Sequence, residues 1–232
     1  MPTSVPHDFD IPDEYKVEHY PSLAERRADW WIHTLAIAAA AVGAVILVAA
    51  AITQDRPGAI IGSTLYGAAL ISMLAFSAVY NFSRISPLRP FLRRLDEAGI
   101  FLMIAGSYTP FATQTLEGTS ALVTTGLIWG LAVAGIIGKL ALPHLSERFW
   151  TGVYILFGWV AVLALLPISQ DLPFSALALL VAGGLVYTTG CWVFLNASMP
   201  FRRAVWHGFV CLGAGLHYLA IAFGVLGQAA VA

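Results

Sequence analysis

Three short polar groups interrupt otherwise apolar sequence. Ser77 and Asn81 lie four apart in SAVYN, Asp96 and Glu97 are adjacent in LDEAGI, and Arg203 and His207 lie four apart in RRAVWH. Side chains four apart on a helix stack on one face, so each of the two spaced pairs presents a single polar edge. A histidine can ligate a metal or carry a proton, and a carboxylate can act as a base. An arginine has no lone pair to offer a metal and stays protonated. No Ser–His–Asp order along the chain supplies a nucleophile without a metal.

Each residue also has a plainer explanation. Asp96 near a helix N-terminus is favoured by the helix dipole. Arg203 can be a flank charge reaching for the membrane surface. Ser77 and Asn81 can bond backbone or a neighbouring helix, and His207 can be an interior histidine. Five such residues from three segments at one depth point instead to a site. His33 reads as an interfacial hydrogen-bonding residue. His217, ten residues after His207, lies about 15 Å farther along a helix and is too distant to share one ion; it is expected to bond another helix. His7, His19 and His144 fall in solvent-facing segments.

The elements that carry these groups are set by hydropathy. The chain has 232 residues, 59% hydrophobic and only 11% charged, against about a quarter charged in soluble domains. Seven apolar stretches emerge: Trp30–Thr53, Gly58–Asn81, Leu95–Thr115, Thr119–Gly138, Phe149–Pro167, Pro173–Leu195 and Arg203–Gln228. Each approaches the roughly 20 residues that cross a bilayer as a helix. The expected fold is all-α, a seven-transmembrane-helix bundle over 30–232 after a polar N-terminal arm, 1–29. That arm lacks the order of a cleaved signal peptide.

Charge sets the orientation. With the N-terminus in the cytoplasm and the C-terminus outside, eleven of the twelve lysines and arginines fall on the inner side, and only Arg56 falls outside. G-protein-coupled receptors have the opposite orientation, and a retinal carrier needs a lysine in its seventh helix, where this chain has none. Net charge is −1, and no basic stretch with interleaved aromatics supports nucleic-acid binding. Cys191 and Cys211 lie within apolar runs and read as free thiols.

Several of these stretches also carry a family resemblance. SAVYNFSRISPLRPFLRRLDEAGIFLMIAGSYTPFA (77–112), GGLVYTTG (183–190), PFRRAVWHGFVCLGAGLHYLAI (200–221), ERRADWWIHTLA (25–36) and FGW (157–159) resemble the haemolysin III branch of the progestin and adipoQ receptor family. IAGSYTPF (104–111) is the most specific of them, and the likeness runs from about Glu25 to the end. The resemblance implies seven helices, a cytoplasmic N-terminus and kinship with alkaline ceramidases. Those enzymes hold zinc near the cytoplasmic side and use it to activate water against an amide or ester.

The implied pattern is a serine and a histidine four apart on helix two, an aspartate on helix three, and two histidines four apart on helix seven. Ser77 and Asp96 match it. Asn81 stands for the helix-two histidine and Arg203 for the first histidine of helix seven, leaving His207 alone of three ligands. Glu97 replaces a histidine after the aspartate. This set argues against tight zinc binding. An Arg203–Asp96 pair is the expected substitute for the metal's charge.

The expected role is therefore membrane lipid homeostasis or sensing in a bacterial plasma membrane, around a degenerate hydrolase-like site. The partners would be membrane lipids, one of them held between the helices. Two alternatives stay open. One, implied by the resemblance, is an active zinc-dependent ceramidase-like amide or ester hydrolase with Asp96 as general base, His207 as ligand or acid and Ser77 as hydrogen-bonding support; the other is a pore-forming haemolysin. No span shows the continuous polar stripe that a pore needs.

Overall fold

The computed structural model describes residues 19–115, 118–142, 144–165 and 172–226. Among these residues the chain forms seven α-helices and no strand. They are α1 (Leu23–Thr53), α2 (Pro57–Phe82), α3 (Arg89–Thr115), α4 (Gly118–Ala141), α5 (Glu147–Ala164), α6 (Phe174–Leu195) and α7 (Arg202–Ile221). A π-helical turn, Ala222–Leu226, follows α7. The far ends of the fifth and seventh expected spans, Pro167 and Gln228, lie outside the described residues.

Local chemistry explains where several helices start. Ser22 accepts a hydrogen bond from the Glu25 backbone N–H at 3.2 Å, and the S-x-x-E spacing is that of a capping box. Ser146 caps α5 in the same way through the Phe149 N–H. Pro57, with its fixed φ and missing N–H, opens α2. Two starts differ from the hydropathy reading. α1 begins at Leu23 and α3 at Arg89, because polar residues continue both helices beyond their apolar stretches. Asp96 consequently sits about two turns into α3, where the helix dipole does little for it.

Five of the seven helices, α1, α2, α4, α6 and α7 with its extension to Gly224, are long and apolar enough to cross a membrane. The outer surface fits that reading. Leu35, Val42, Val45 and Ile46 on α1 and Leu122, Leu127, Leu131 and Ile137 on α4 are all exposed. An apolar belt of this extent is unstable in water and comfortable in lipid. The interior is the inverse, with Asp29, His33, Ser77, Asn81 and His207 all buried.

α3 packs against α2, α4, α5 and α7, while α1 contacts α2 and α7, and α6 contacts α5 and α7. Glycine sets the approach of α2 to α3. A Cβ on Gly106 would lie 2.4 Å from the Ala69 methyl, and one on Gly62 would lie 2.8 Å from the Pro110 Cα. Small residues let two backbones come this close. That approach brings the C-terminal end of α2, with Ser77, beside the start of α3, with Asp96.

The end of the bundle that carries these residues is also its basic end. Arg94 donates to the Leu140 carbonyl of α4 at 3.2 Å, and Arg202 donates to the Phe194 carbonyl of α6 at 3.1 Å. Both cations serve the C-terminal carbonyls of a neighbouring helix, where the dipole favours positive charge. Arg93 bridges Glu97 and Glu147, and Lys139 also pairs with Glu97, so α3, α4 and α5 are joined by charge.

Candidate functional site

Ser77 is the meeting point of the buried polar residues. Its hydroxyl lies 3.2 Å from His33 Nε2 and 3.3 Å from His207 Nε2, joining α2 to α1 and α7. Asn81, one turn on, donates from Nδ2 to the Ser77 carbonyl at 3.0 Å and to its hydroxyl at 3.3 Å. Asp96 lines the same cavity from α3 and acts on this cluster electrostatically.

The opposite nitrogens of both histidines turn toward Asp29. His207 Nδ1 lies 2.6 Å from Asp29 Oδ1, and His33 Nδ1 lies 3.0 Å from the Asp29 carbonyl oxygen. A carboxylate and a carbonyl only accept, so each Nδ1 carries the hydrogen, and a neutral ring then presents a lone pair at Nε2. Both lone pairs face one serine hydroxyl that has a single hydrogen to give. The acceptors outnumber the donors, and that is the central electrostatic feature of the site.

Asp29 is itself completely enclosed, and Tyr20 donates to its other oxygen, Oδ2, at 2.5 Å. Burial and the adjacent carboxylate push the Tyr20 phenol well above its ordinary range. The Tyr20 ring stacks on Phe82 with centroids 6.1 Å apart. The segment before α1 is thus fastened to the end of α2.

Arg203 departs from expectation. Among the described residues it forms no ion pair with Asp96. Its Nη1 donates to Asn81 Oδ1 at 2.9 Å and its Nε to the His19 carbonyl at 3.2 Å. The physical reason is reach. Asn81 projects from the last turn of α2 directly toward the start of α7, and its carbonyl oxygen is the nearer acceptor. The two residues that depart from the three-histidine pattern therefore satisfy each other. Phe201, the residue before α7, is held at φ 53°, a left-handed conformation that costs a non-glycine residue roughly 1–2 kcal/mol.

Of the residues expected from sequence, Ser77, Asn81, Asp96, Arg203 and His207 all line one cavity. Glu97 lines the cavity but is committed to Arg93 and Lys139. His217 bonds the Leu180 carbonyl of α6 at 3.3 Å, the interhelical role expected of it. His19 does more than its sequence position suggests: its ring packs edge-on against Tyr80 and accepts from Arg89 Nε at 2.6 Å. Sequence reasoning gave His33 an interfacial hydrogen bond but no place in this cluster, and it missed Asp29. Their signal was present in DWWIH, where an acid and a histidine stand four apart at the foot of the first helix.

The three positions of the zinc pattern do not fit a zinc ion. Arg203 supplies only N–H donors and Asn81 Oδ1 is already engaged, which leaves His207 as the sole ready nitrogen. A different set could hold a metal: Asp29, His33 and His207 offer ligand atoms within 4.8 Å of one another. As they stand, Nδ1 of His207 and Oδ1 of Asp29 are 2.6 Å apart, a hydrogen-bond distance. Ligands of one tetrahedral zinc are separated by about 3.3 Å. The present arrangement is a proton-linked histidine–aspartate pair.

The cavity itself measures about 440 Å³ and runs from this cluster toward the bundle centre. Met73, Leu74, Ile100, Met103 and Ile104 give it an apolar wall, and Trp159 and Tyr187 lie along α5 and α6. Its volume falls in the roughly 300–1,000 Å³ range of small-ligand sites.

Comparison with known proteins places the whole bundle. The family described as haemolysin-III related matches residues 23–218. Hemolysin-3 of Bacillus cereus is 32% identical over 182 residues, covering 78% of this chain and 83% of that protein. The hemolysin-3 homolog of Bacillus subtilis (strain 168) is 26% identical over 202 residues, covering 87% and 95%. The human monocyte to macrophage differentiation factor is 26% identical over 207 residues, covering 87% and 84%. No solved structure matches.

Proposed function

The chain belongs to the haemolysin-III-related family of membrane proteins, and from that premise we propose that it acts on membrane lipids by taking an acyl lipid into its interior cavity. The supporting observation is the pairing of an apolar cavity of about 440 Å³ with a buried polar cluster at one end. An acyl chain fits the apolar wall, and a carbonyl or headgroup fits among Ser77, Asn81 and His207. The role that follows is lipid homeostasis in a bacterial plasma membrane, with the basic end in the cytoplasm. Photo-crosslinking with a diazirine-bearing fatty acyl probe tests the reading. Adducts on cavity residues such as Met103 and Tyr187 support it, and adducts confined to the outer belt of α1 and α4 overturn it. Gly184→Leu, which fills the cavity wall beside Trp159, should reduce interior labelling.

The proximity of Asp29, His33 and His207 favours a second reading, a metal-dependent lipid hydrolase. A bound divalent ion would supply an activated water there. His33 and His207 would offer their neutral nitrogens, and Asp29 would fix or join them. Metal analysis of the purified protein before and after chelation separates the two readings.

A further inference from the structure

We propose that Ser77, His207 and Asp29 form a metal-independent nucleophilic triad that cleaves the acyl ester of a lipid lying in the cavity. The inference rests on the lipid reading above, because the cavity brings the ester to Ser77. The geometry is that of serine hydrolysis: Ser77 Oγ stands 3.3 Å from His207 Nε2, and His207 Nδ1 stands 2.6 Å from Asp29 Oδ1. Three helices supply the three residues, so chain order conceals the triad, which is recognised by geometry and roles. The longer serine–histidine contact is ordinary for a site without substrate.

His33 is a rival base, since its Nε2 is as close to Ser77 Oγ as that of His207. The two are told apart by what backs them. His207 Nδ1 donates to a carboxylate at 2.6 Å, whereas His33 Nδ1 donates to a neutral carbonyl and lies 3.7 Å from the carboxylate. A positive charge that appears on the imidazole is therefore stabilised on His207. Asp29 is the positioning residue, as it touches His207 and not the substrate.

The reaction balances with water as the only co-reactant. Ser77 Oγ bonds to the ester carbonyl carbon while its proton passes to His207 Nε2. The tetrahedral oxyanion forms beside Asn81 Nδ2, which lies 3.3 Å from Oγ and whose own carbonyl is held by the Arg203 guanidinium. The bond from carbon to the leaving alkoxide breaks, and His207 returns its proton to that oxygen. The acyl group remains on Ser77. Water then attacks, gives one proton to His207, and releases the fatty acid as Ser77 recovers its hydrogen. In this reaction the positions that lost zinc ligands, Asn81 and Arg203, serve the oxyanion.

The test uses the purified full chain in lipid nanodiscs and a long-chain alkyl fluorophosphonate, read by intact mass and peptide sequencing. The expected result is one covalent adduct on Ser77 that forms equally with and without a chelator. Asp29→Asn should lower the maximal labelling rate by about 10²–10⁴-fold with probe affinity unchanged; a merely structural loss would weaken both. His207→Gln should abolish labelling while native mass spectrometry still shows lipid bound. The proposal is overturned if the wild-type chain gives no Ser77 adduct, if His207→Gln labels at the wild-type rate, or if labelling vanishes with chelator and returns with zinc. A chain that holds lipid yet forms no adduct sinks the triad and leaves the lipid reading standing.

Discussion

At the scale of single residues, the site is organised by two exchanges that compensate each other. Arg203 and Asn81 occupy places where the resemblance implies histidines, and they hydrogen-bond at 2.9 Å. Restoring both histidines, in Asn81→His with Arg203→His, should rebuild a three-histidine set with His207. The double variant should retain about one zinc per chain through a chelator wash that strips the wild type, measured by elemental analysis; equal stripping of both would count against the idea that these exchanges displaced the metal. A second prediction concerns Tyr20. Tyr20→Phe removes the donor to the enclosed Asp29 carboxylate and should cost about 1–2 kcal/mol in thermal or denaturant unfolding near neutral pH. Folding raises the phenol's pKa. The contribution is therefore fully present below the unfolded value of about 10 and lost as pH climbs through the folded value, so the gap between wild type and variant should narrow in strong alkali. Ser77, Asp96 and His207 were legible because a polar residue within an apolar run is costly and stands out. Asp29 did not stand out, since it precedes the apolar stretch in a run of charged residues and only the fold encloses it.

At the scale of helices, hydropathy found all seven but misjudged where two begin. The apolar signal ends where the chain leaves the lipid, while α1 and α3 continue as capped or ion-paired helices beyond that point. The residues missed by the sequence, Asp29 and Tyr20, lie in or beside one of these extensions. Helix contacts were less legible. The closeness of α2 and α3 depends on Gly106 facing Ala69, a fit between two small residues far apart in sequence. Gly106→Ala should lower stability by about 1–3 kcal/mol, because the added methyl meets another methyl and not a flexible chain. Ala69→Gly in the same chain should recover most of that loss, less about 1 kcal/mol for glycine within a helix. Thermal unfolding of the single and double variants in one detergent measures both. An equal melting temperature for Gly106→Ala and wild type would show that the helices can move apart freely.

At the scale of the whole molecule, orientation is a matter of charge. The helices alternate in direction, and cross-helix contacts such as Arg93 with Glu147, Arg94 with Leu140 and Arg203 with Asn81 tie the starts of α3 and α7 to the ends of α2 and α4 and the start of α5. Arg26, Arg27, Arg84, Lys139, Arg148 and Arg202 share that end, and Arg56 stands at the other. Moving this many cations across a bilayer is strongly disfavoured, so the expected orientation puts the basic end in the cytoplasm. A C-terminal alkaline phosphatase fusion should then be active and a C-terminal green fluorescent protein fusion dark. The reverse pair would invert the bundle and place the Ser77 cluster at the outer surface. Neutralising Arg26 and Arg27 alone should leave the result unchanged, because the arginines flanking α3 and α7 hold the same end inside. Adding arginines beside Arg56 should begin to populate the inverted form, measured as a rise in fluorescence from the second fusion. The site would then open to the opposite leaflet, and labelling by a charged, membrane-impermeant fluorophosphonate applied to intact cells should rise with that fluorescence.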